Sequence, residues 1–206
     1  QAILGDLAED FRVGLGQDSH MFDKPEASAS SGLSQKSPEI LQHPKQLHGK
    51  IDSAKTTKPL YEPCLTLAGL AIPDQPKLQA NSDGDVILHA IFNALSQAIG
   101  DMSLGFYADE QFEKGVTDSK KYLQIILKKV HQQKFKINSL GLMIECKKPK
   151  IDPLVPKFKK SLSSLLNLLP NRIGITATSG ENLTLFGAGL GIQCFAIVSL
   201  TKTTFA

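Results

Sequence analysis

The apolar residues of this chain change period along its length, and that change restricts the fold more than any other feature. Phe11, Val13 and Leu15 recur at every second residue of Phe11-Arg-Val-Gly-Leu-Gly-Gln-Asp-Ser-His20, the period of a strand. Tyr122, Ile126, Leu127 and Val130 instead form a stripe at helical spacing, and Leu154, Phe158, Leu162, Leu165 and Leu169 form another. Residues 64–72 read as a strand closed by Pro73, residues 137–146 as a further strand, and residues 172–179 and 191–201 as two more. Asn81-Ser-Asp-Gly-Asp85 leads into an apolar segment from Val86 to Leu95. Ser82 followed three residues later by Asp85 is an acidic relative of the capping box, so a helix is expected to begin there. A Gly-rich turn is expected over residues 100–105, and Thr117 or Ser119 is expected to cap the helix of the Tyr122 stripe. Strand and helix periods alternate without internal repeats, which leaves α/β or α+β and excludes single-type folds.

One stretch has neither period. Residues 24–62 carry Ser28, Ser30, Ser31, Ser34, Ser37 and Ser53, four prolines and scattered lysines. Compact domains seldom contain structureless loops beyond about 12–15 residues, so this stretch reads as a disordered insertion within one domain spanning residues 1–206, with a second small domain as the alternative. The 206 residues suffice for a core without disulfide staples. Lys and Arg exceed Asp and Glu by only three (23 against 20), too few for a dedicated nucleic-acid surface. No apolar run approaches the roughly 18 residues of a membrane span. Cys64, Cys146 and Cys194 are far apart and odd in number, which favours a reducing compartment and a cytoplasmic setting. A plastid-type organelle is the alternative should Gln1 mark a processing point.

Four clusters could carry chemistry. Asp18-x-His20 places a carboxylate and an imidazole on one face of a strand, where both can grip one ion, although such pairs are commonly strand-end polar residues. His89, in the helix after Asp85, would add a third ligand of the oxygen and nitrogen character zinc accepts in open catalytic sites. A satisfied core histidine is the plain alternative. Asn81-Ser-Asp-Gly-Asp85 could receive an anion at a helix start, or could simply cap it. Thr176-Ala-Thr-Ser-Gly-Glu181 combines hydroxyls, a glycine and a carboxylate that can cradle a phosphate and hold a hard cation, or form an ordinary polar turn. Lys147, Lys148 and Lys150 could attract phosphate or merely be a solvated face. Gly187-x-Gly-x-Gly191 lacks the spacing of the dinucleotide fingerprint. His43, His48 and His131 have no evident partner.

Taken in order, the motifs resemble one family. Arg12-Val-Gly-x-Gly-x-Asp-x-His20, Gly69-x-x-Ile-Pro73, Ser82-Asp-Gly-Asp-Val86 with His89, Asp118-Ser119, Lys148-Pro-Lys150 and Ala177-Thr178-x-x-Glu181 are similar to 2-C-methyl-D-erythritol 2,4-cyclodiphosphate synthases. The resemblance implies a small α/β (α+β) domain: a four-stranded mixed sheet with helices on one face, plus a hairpin. It also implies a homotrimer with active sites between subunits, and no nucleic-acid or membrane partner. The family converts 4-diphosphocytidyl-2-C-methyl-D-erythritol 2-phosphate to the cyclic diphosphate and CMP, in the non-mevalonate route to isoprenoids. By motif position, Asp18, His20 and His89 would bind Zn2+, and Glu181 would help hold Mg2+ or Mn2+ between the substrate phosphates. Thr178 and Ser179 would contact the diphosphate. Asn81, Ser82, Asp101 and Ser119 fall in the substrate-binding motifs, and backbone around Lys147, Lys148, Pro149, Lys150 and Ile151 would receive the cytosine. The nucleophile in this chemistry is the substrate's own 2-phosphate, which agrees with the absence of a convincing catalytic triad. What the chain must supply is positioning and cations.

The chain departs from the family pattern at several places. The family usually has His at the place of Asn81, Thr at Ser179 and Arg near Ala188. The usual Asp-Ile-Gly-x-x-Phe-Pro-Asp becomes Asp101-Met-Ser-Leu-Gly-Phe-Tyr-Ala-Asp109. Two rivals follow: a zinc-dependent phosphoesterase using metal-bound hydroxide, and a metal-binding trimer without turnover.

Overall fold

The computed structural model describes residues 11–23 and 64–203. The segment read as an insertion lies outside the described residues. Among the described residues there are six strands and four α-helices: β1 (Phe11–Met21), β2 (Leu65–Leu67), β3 (Leu70–Ile72), α1 (Val86–Ile99), α2 (Leu104–Glu113), α3 (Ser119–Gln132), β4 (Phe135–Glu145), α4 (Val155–Leu166), β5 (Ile173–Thr178) and β6 (Gly191–Lys202). The main sheet is four-stranded and mixed, in the order β1-β6-β4-β5. β6 pairs antiparallel with both β1 and β4, whereas β4 and β5 run parallel. A parallel pair cannot be closed by a tight turn, and α4 provides the crossover between β4 and β5. Helices α1, α3 and α4 pack against the sheet on one face, the face of Leu140, Leu142, Ile144, Ile173, Cys194 and Val198.

The period-two pattern of β1 identifies the strand, but the inward side is the glycine side. Gly14 and Gly16 face α1, and a Cβ on either would collide with main-chain atoms, the carbonyl oxygens of Ala94 and Ala90. The missing side chains let the helix backbone lie directly on the strand. Val13 and Leu15 consequently face away and remain 50% and 53% exposed, beside Ile197 at 51% on neighbouring β6. α1 is buried on nearly every side, from Val86 to Ile99, with Asn93 and Gln97 as the exceptions. Its last turn closes on Gly100, whose positive φ of 71° suits a residue without a side chain.

Five local expectations are corrected. Asp85, not Ser82, caps α1: its carboxylate accepts from the Ile87 and Leu88 N–H groups, both at 3.1 Å. Asp118, rather than Thr117 or Ser119, caps α3 by accepting from Lys120 N–H at 2.9 Å. Residues 64–72 form a hairpin, not one strand, because Ala68 and Gly69 both take positive φ (54° and 74°) and reverse the chain. The region expected to be a Gly-rich turn enters a helix at Leu104, and Leu169 lies beyond α4, largely exposed. The buried Asp85 carboxylate also accepts from Ala68 and Gly69 N–H at 3.0 and 2.5 Å, tying the hairpin to the start of α1. Burial pushes its carboxyl up to about 6, despite these hydrogen bonds.

Candidate active site

Strand β1 ends with alternate side chains Asp18 and His20 pointing to the helix face, continuing the side on which Gly14 and Gly16 admit α1. The same close approach brings His89, on the first turn of α1, against them. Asp18 Oδ2 lies 2.9 Å from His89 Nδ1 and 3.1 Å from His20 Nε2. One ligand atom from each residue falls within 4.8 Å of the others, a spacing that a single metal ion can occupy.

Hydrogen bonding fixes which ring nitrogen of His89 is free. The Ser119 hydroxyl donates to Asp83 Oδ1, and Asp83 Oδ2 accepts the Ser119 N–H. With its proton committed, Ser119 Oγ can only accept from His89 Nε2, which lies 2.8 Å away. His89 therefore carries hydrogen on Nε2 and turns the Nδ1 lone pair toward Asp18. A lone pair 2.9 Å from a carboxylate oxygen is repulsive unless positive charge lies between them. His20 Nε2 is likewise buried and, although 3.1 Å from Asp18 Oδ2, makes no hydrogen bond of proper geometry among the described residues. An orphaned nitrogen, a lone pair aimed at a carboxylate, and a donor set of one oxygen and two nitrogens fit a divalent metal. Electrostatics agree: burial works against charge on Asp18, but the two imidazoles beside it outweigh that and hold its carboxyl well below the usual range. Burial also disfavours charge on His20, yet Asp18 raises it overall.

These residues open into a cavity of 370 Å3, lined also by Asn81, Ser82, Asn93, Asp109, Phe112 and Tyr122. Asn81 and Ser82 line this cavity together with Asp18, His20 and His89. Ser119 does not face the cavity: it is fully buried behind His89. Asp101 is also absent from the lining. Its carboxylate accepts from Lys129 Nζ at 2.7 Å and Tyr107 OH at 2.5 Å. Asp83, Asp109 and Phe112 were not singled out from sequence. The spacing of Asp83 from His89 was visible, but its link to Ser119 joins residues 36 positions apart.

A second cavity, of 430 Å3, lies at the carboxyl ends of the parallel strands β4 and β5. It joins Pro149, Lys150 and Ile151 to Thr178 and Ser179, with Cys146 in its wall. Burial pushes the Cys146 thiol up to about 11, so it is a small packing group there and not a nucleophile. Lys147 and Lys148 are exposed and outside the lining. Glu181 stands at the edge of this region, exposed, with its carboxylate accepting from Ser179 Oγ at 3.1 Å.

The two cavities share no lining residue. Thr178, Glu145, Gln193 and Ser19 are successive partners across the sheet, so the ends of β5 and β1 are three strand spacings apart, roughly 14 Å.

The YgbB family model matches residues 11–201. The 2-C-methyl-D-erythritol 2,4-cyclodiphosphate synthase of Chlamydia caviae is 37% identical over 193 residues, which cover 93% of this chain and 90% of that one. The synthase of Chlamydia abortus is 38% identical with the same coverage. A solved structure of the synthase in a CDP-bound form superposes with a TM-score of 0.66 at 26% identity, covering 92% of this chain and 99% of that one. Matched along the whole described sheet and aligned nearly end to end with these relatives, the chain belongs to the YgbB family of 2-C-methyl-D-erythritol 2,4-cyclodiphosphate synthases.

Proposed function

We propose that this protein is the metal-dependent cyclase that converts 4-diphosphocytidyl-2-C-methyl-D-erythritol 2-phosphate to 2-C-methyl-D-erythritol 2,4-cyclodiphosphate and CMP. The observation that carries the reading is the convergence of Asp18, His20 and His89 at the head of a cavity, with Asp83 and Ser119 fixing the His89 ring behind them. These three would hold Zn2+, whose oxygen and nitrogen preference they match. A Zn2+ ion there would supply Lewis acidity to a phosphate oxygen, and a Mg2+ or Mn2+ ion near Glu181 would offset charge between the phosphates.

The chain's own groups do the rest. In the reaction a substrate 2-phosphate oxygen bonds to the β-phosphorus, the bond from that phosphorus to the cytidylate oxygen breaks, and CMP leaves with the electron pair. No side-chain nucleophile is needed, so the work is holding a flexible chain in a ring-forming posture. Ser82 and Asn81 line the space beside the metal ligands, where the methylerythritol phosphate would sit. Thr178 and Ser179 would present hydroxyls to the diphosphate, and the pocket of Pro149, Lys150 and Ile151 would receive the cytosine. Lys147 and Lys148 stand outside it as exposed positive charge. The CDP-bound form of a related synthase supports a cytidine ligand.

The assembly is read as a homotrimer. On one chain the metal cavity and the nucleotide cavity are separate, so one substrate held by both would span two subunits. The exposed apolar face of Val13, Leu15 and Ile197 is suited to be covered by other copies. The whole chain is read as one domain, with residues 24–62 inserted between β1 and the hairpin. No helix among the described residues is long and apolar enough to cross a membrane. Free thiols at Cys64, Cys146 and Cys194 suit a reducing, cytoplasmic compartment.

Phosphorus NMR of the protein with the diphosphocytidyl substrate, Zn2+ and Mg2+ tests this. Cyclic diphosphate and CMP should appear together. Inorganic phosphate would replace the reading with a phosphoesterase, and unchanged substrate beside bound zinc would leave a metal-binding protein without turnover.

A further inference from the structure

Beside the second cavity sits an acidic side chain that the reaction above does not use. Glu145, the last residue of β4, is 8% exposed. A buried carboxylate is costly unless its oxygens are engaged, and among the described residues no cation pairs with it. Its Oε1 accepts the hydroxyl of Thr184. It fills space that a neighbouring glycine vacates: a Cβ on Gly180 would collide with Glu145 Oε1. Carboxylate, glycine and hydroxyl therefore form one fitted unit directly behind Thr178, Ser179 and Glu181.

That location matters because the turn there is strained. Gly180, Glu181 and Asn182 take positive φ in succession, at 62°, 47° and 62°. Only the first is a glycine, and non-glycine residues hold such a conformation only where surrounding contacts impose it. Gly180 N–H donates to Thr178 Oγ1 at 3.1 Å, and just beyond the strained residues Thr184 anchors the chain. Its Oγ1 accepts from Gly187 N–H at 2.9 Å, its carbonyl accepts from Ala188 N–H at 2.8 Å, and Leu183 N–H donates to Gly180 O at 2.8 Å. The Thr184 hydroxyl donates to Glu145 while accepting from Gly187, so the carboxylate orients the oxygen that closes the 184–187 turn. Glu145 itself is fixed by pairing with Thr178 on β5 and Gln193 on β6.

We infer that Glu145 is a positioning residue for the cyclase: its buried carboxylate, seated against Gly180, braces Thr184 and so holds the strained turn that presents Thr178, Ser179 and Glu181. This rests on the cyclase reading for the word positioning. The brace itself rests on the contacts alone.

The test uses Glu145→Ala, which removes the brace, and Glu145→Gln, which keeps the size and an acceptor oxygen for Thr184. Two readouts are taken on the full chain: amide hydrogen exchange over residues 180–188, and steady-state cyclisation. Glu145→Ala should raise exchange at Leu183 and Gly187 at least tenfold. It should lower kcat/KM for cyclisation by tenfold or more, with zinc bound per subunit unchanged. Glu145→Gln should stay within about threefold of wild type in both. Gly180→Ala should harm activity more in the wild-type background than in Glu145→Ala, where the colliding oxygen is gone. Thr184→Val, which cannot donate, covers the case of a Glu145→Ala protein that fails to fold, and should loosen the same amides. Unchanged exchange in Glu145→Ala overturns the brace. Raised exchange with unchanged kcat/KM overturns its role in positioning, as does equal damage from Glu145→Gln. A wild-type protein that forms no cyclic product sinks the cyclase reading before any variant is compared, and the exchange comparison still decides whether Glu145 braces the turn.

Discussion

Replacing Ser119 with alanine removes one oxygen atom that neither touches the cavity nor would touch a metal ion, and it should nevertheless weaken metal binding. In the native arrangement Ser119 Oγ gives its proton to Asp83 and accepts from His89 Nε2 at 2.8 Å. Without it, nothing at that distance requires His89 to carry hydrogen on Nε2, and the ring is free to place its hydrogen on Nδ1, the atom that must face the metal. Groups behind metal-binding histidines typically account for about 10–100-fold in metal affinity, equivalent to about 1.4–2.8 kcal/mol. The structure places Ser119→Ala in the lower part of that range, because Ser82 Oγ lies 3.3 Å from the same nitrogen and partly substitutes. The double variant Ser82→Ala/Ser119→Ala should reach the upper part. Competition against a chromophoric zinc chelator gives the affinity, and nitrogen chemical shifts of the imidazole give the tautomer independently. A Ser119→Ala protein that keeps hydrogen on Nε2 and binds zinc within twofold of wild type would refute the reasoning.

Three other outcomes are expected. Burial disfavours charge on Asp101, but bonds from Lys129, Tyr107 and the Met102 N–H outweigh it and hold its carboxyl down to about 2. Its contribution to stability is therefore fully present above about pH 4 and lost as pH falls toward 2, so the melting difference between wild type and Asp101→Asn should shrink across that window. Deletion of residues 26–57 should leave zinc affinity unchanged in the same chelator competition, since all three ligands and their supporting residues lie outside it; loss of metal would show that the segment is structural. Leu15→Asp puts a charge on the exposed apolar sheet face, opposite the helices, and should yield monomers by sedimentation velocity with a melting temperature close to wild type; an unchanged trimer would contradict the use of that face.

The strand and helix periods, the Asp-x-His pair and the Ser-Asp-Gly-Asp motif were readable because each is a local pattern: a side chain two residues along a strand returns to the same face whatever surrounds it. The same locality explains the misassigned caps. Ser82, Asp85, Thr117 and Asp118 are all competent capping residues, and only the path of the preceding chain selects Asp85 and Asp118. The helix at Leu104–Glu113 was missed because its apolar residues follow no clean stripe: Phe106 and Phe112 are exposed, and Leu104 alone is buried.

Local pattern alone supplied most of the element types, the three metal-ligand candidates and the family resemblance. Tertiary structure decided which side of each element faces inward and which distant groups meet. β1 illustrates the first: hydrophobicity points Val13 and Leu15 inward, yet the backbone of α1 fits only against Gly14 and Gly16, so steric room prevails over apolar character. Asp83, Ser119 and His89, like Glu145, Gly180 and Thr184, illustrate the second. Each residue is unremarkable in its own stretch of chain, and a proton or an oxygen acquires its role only when strands and helices far apart in sequence bring a partner to hydrogen-bonding distance.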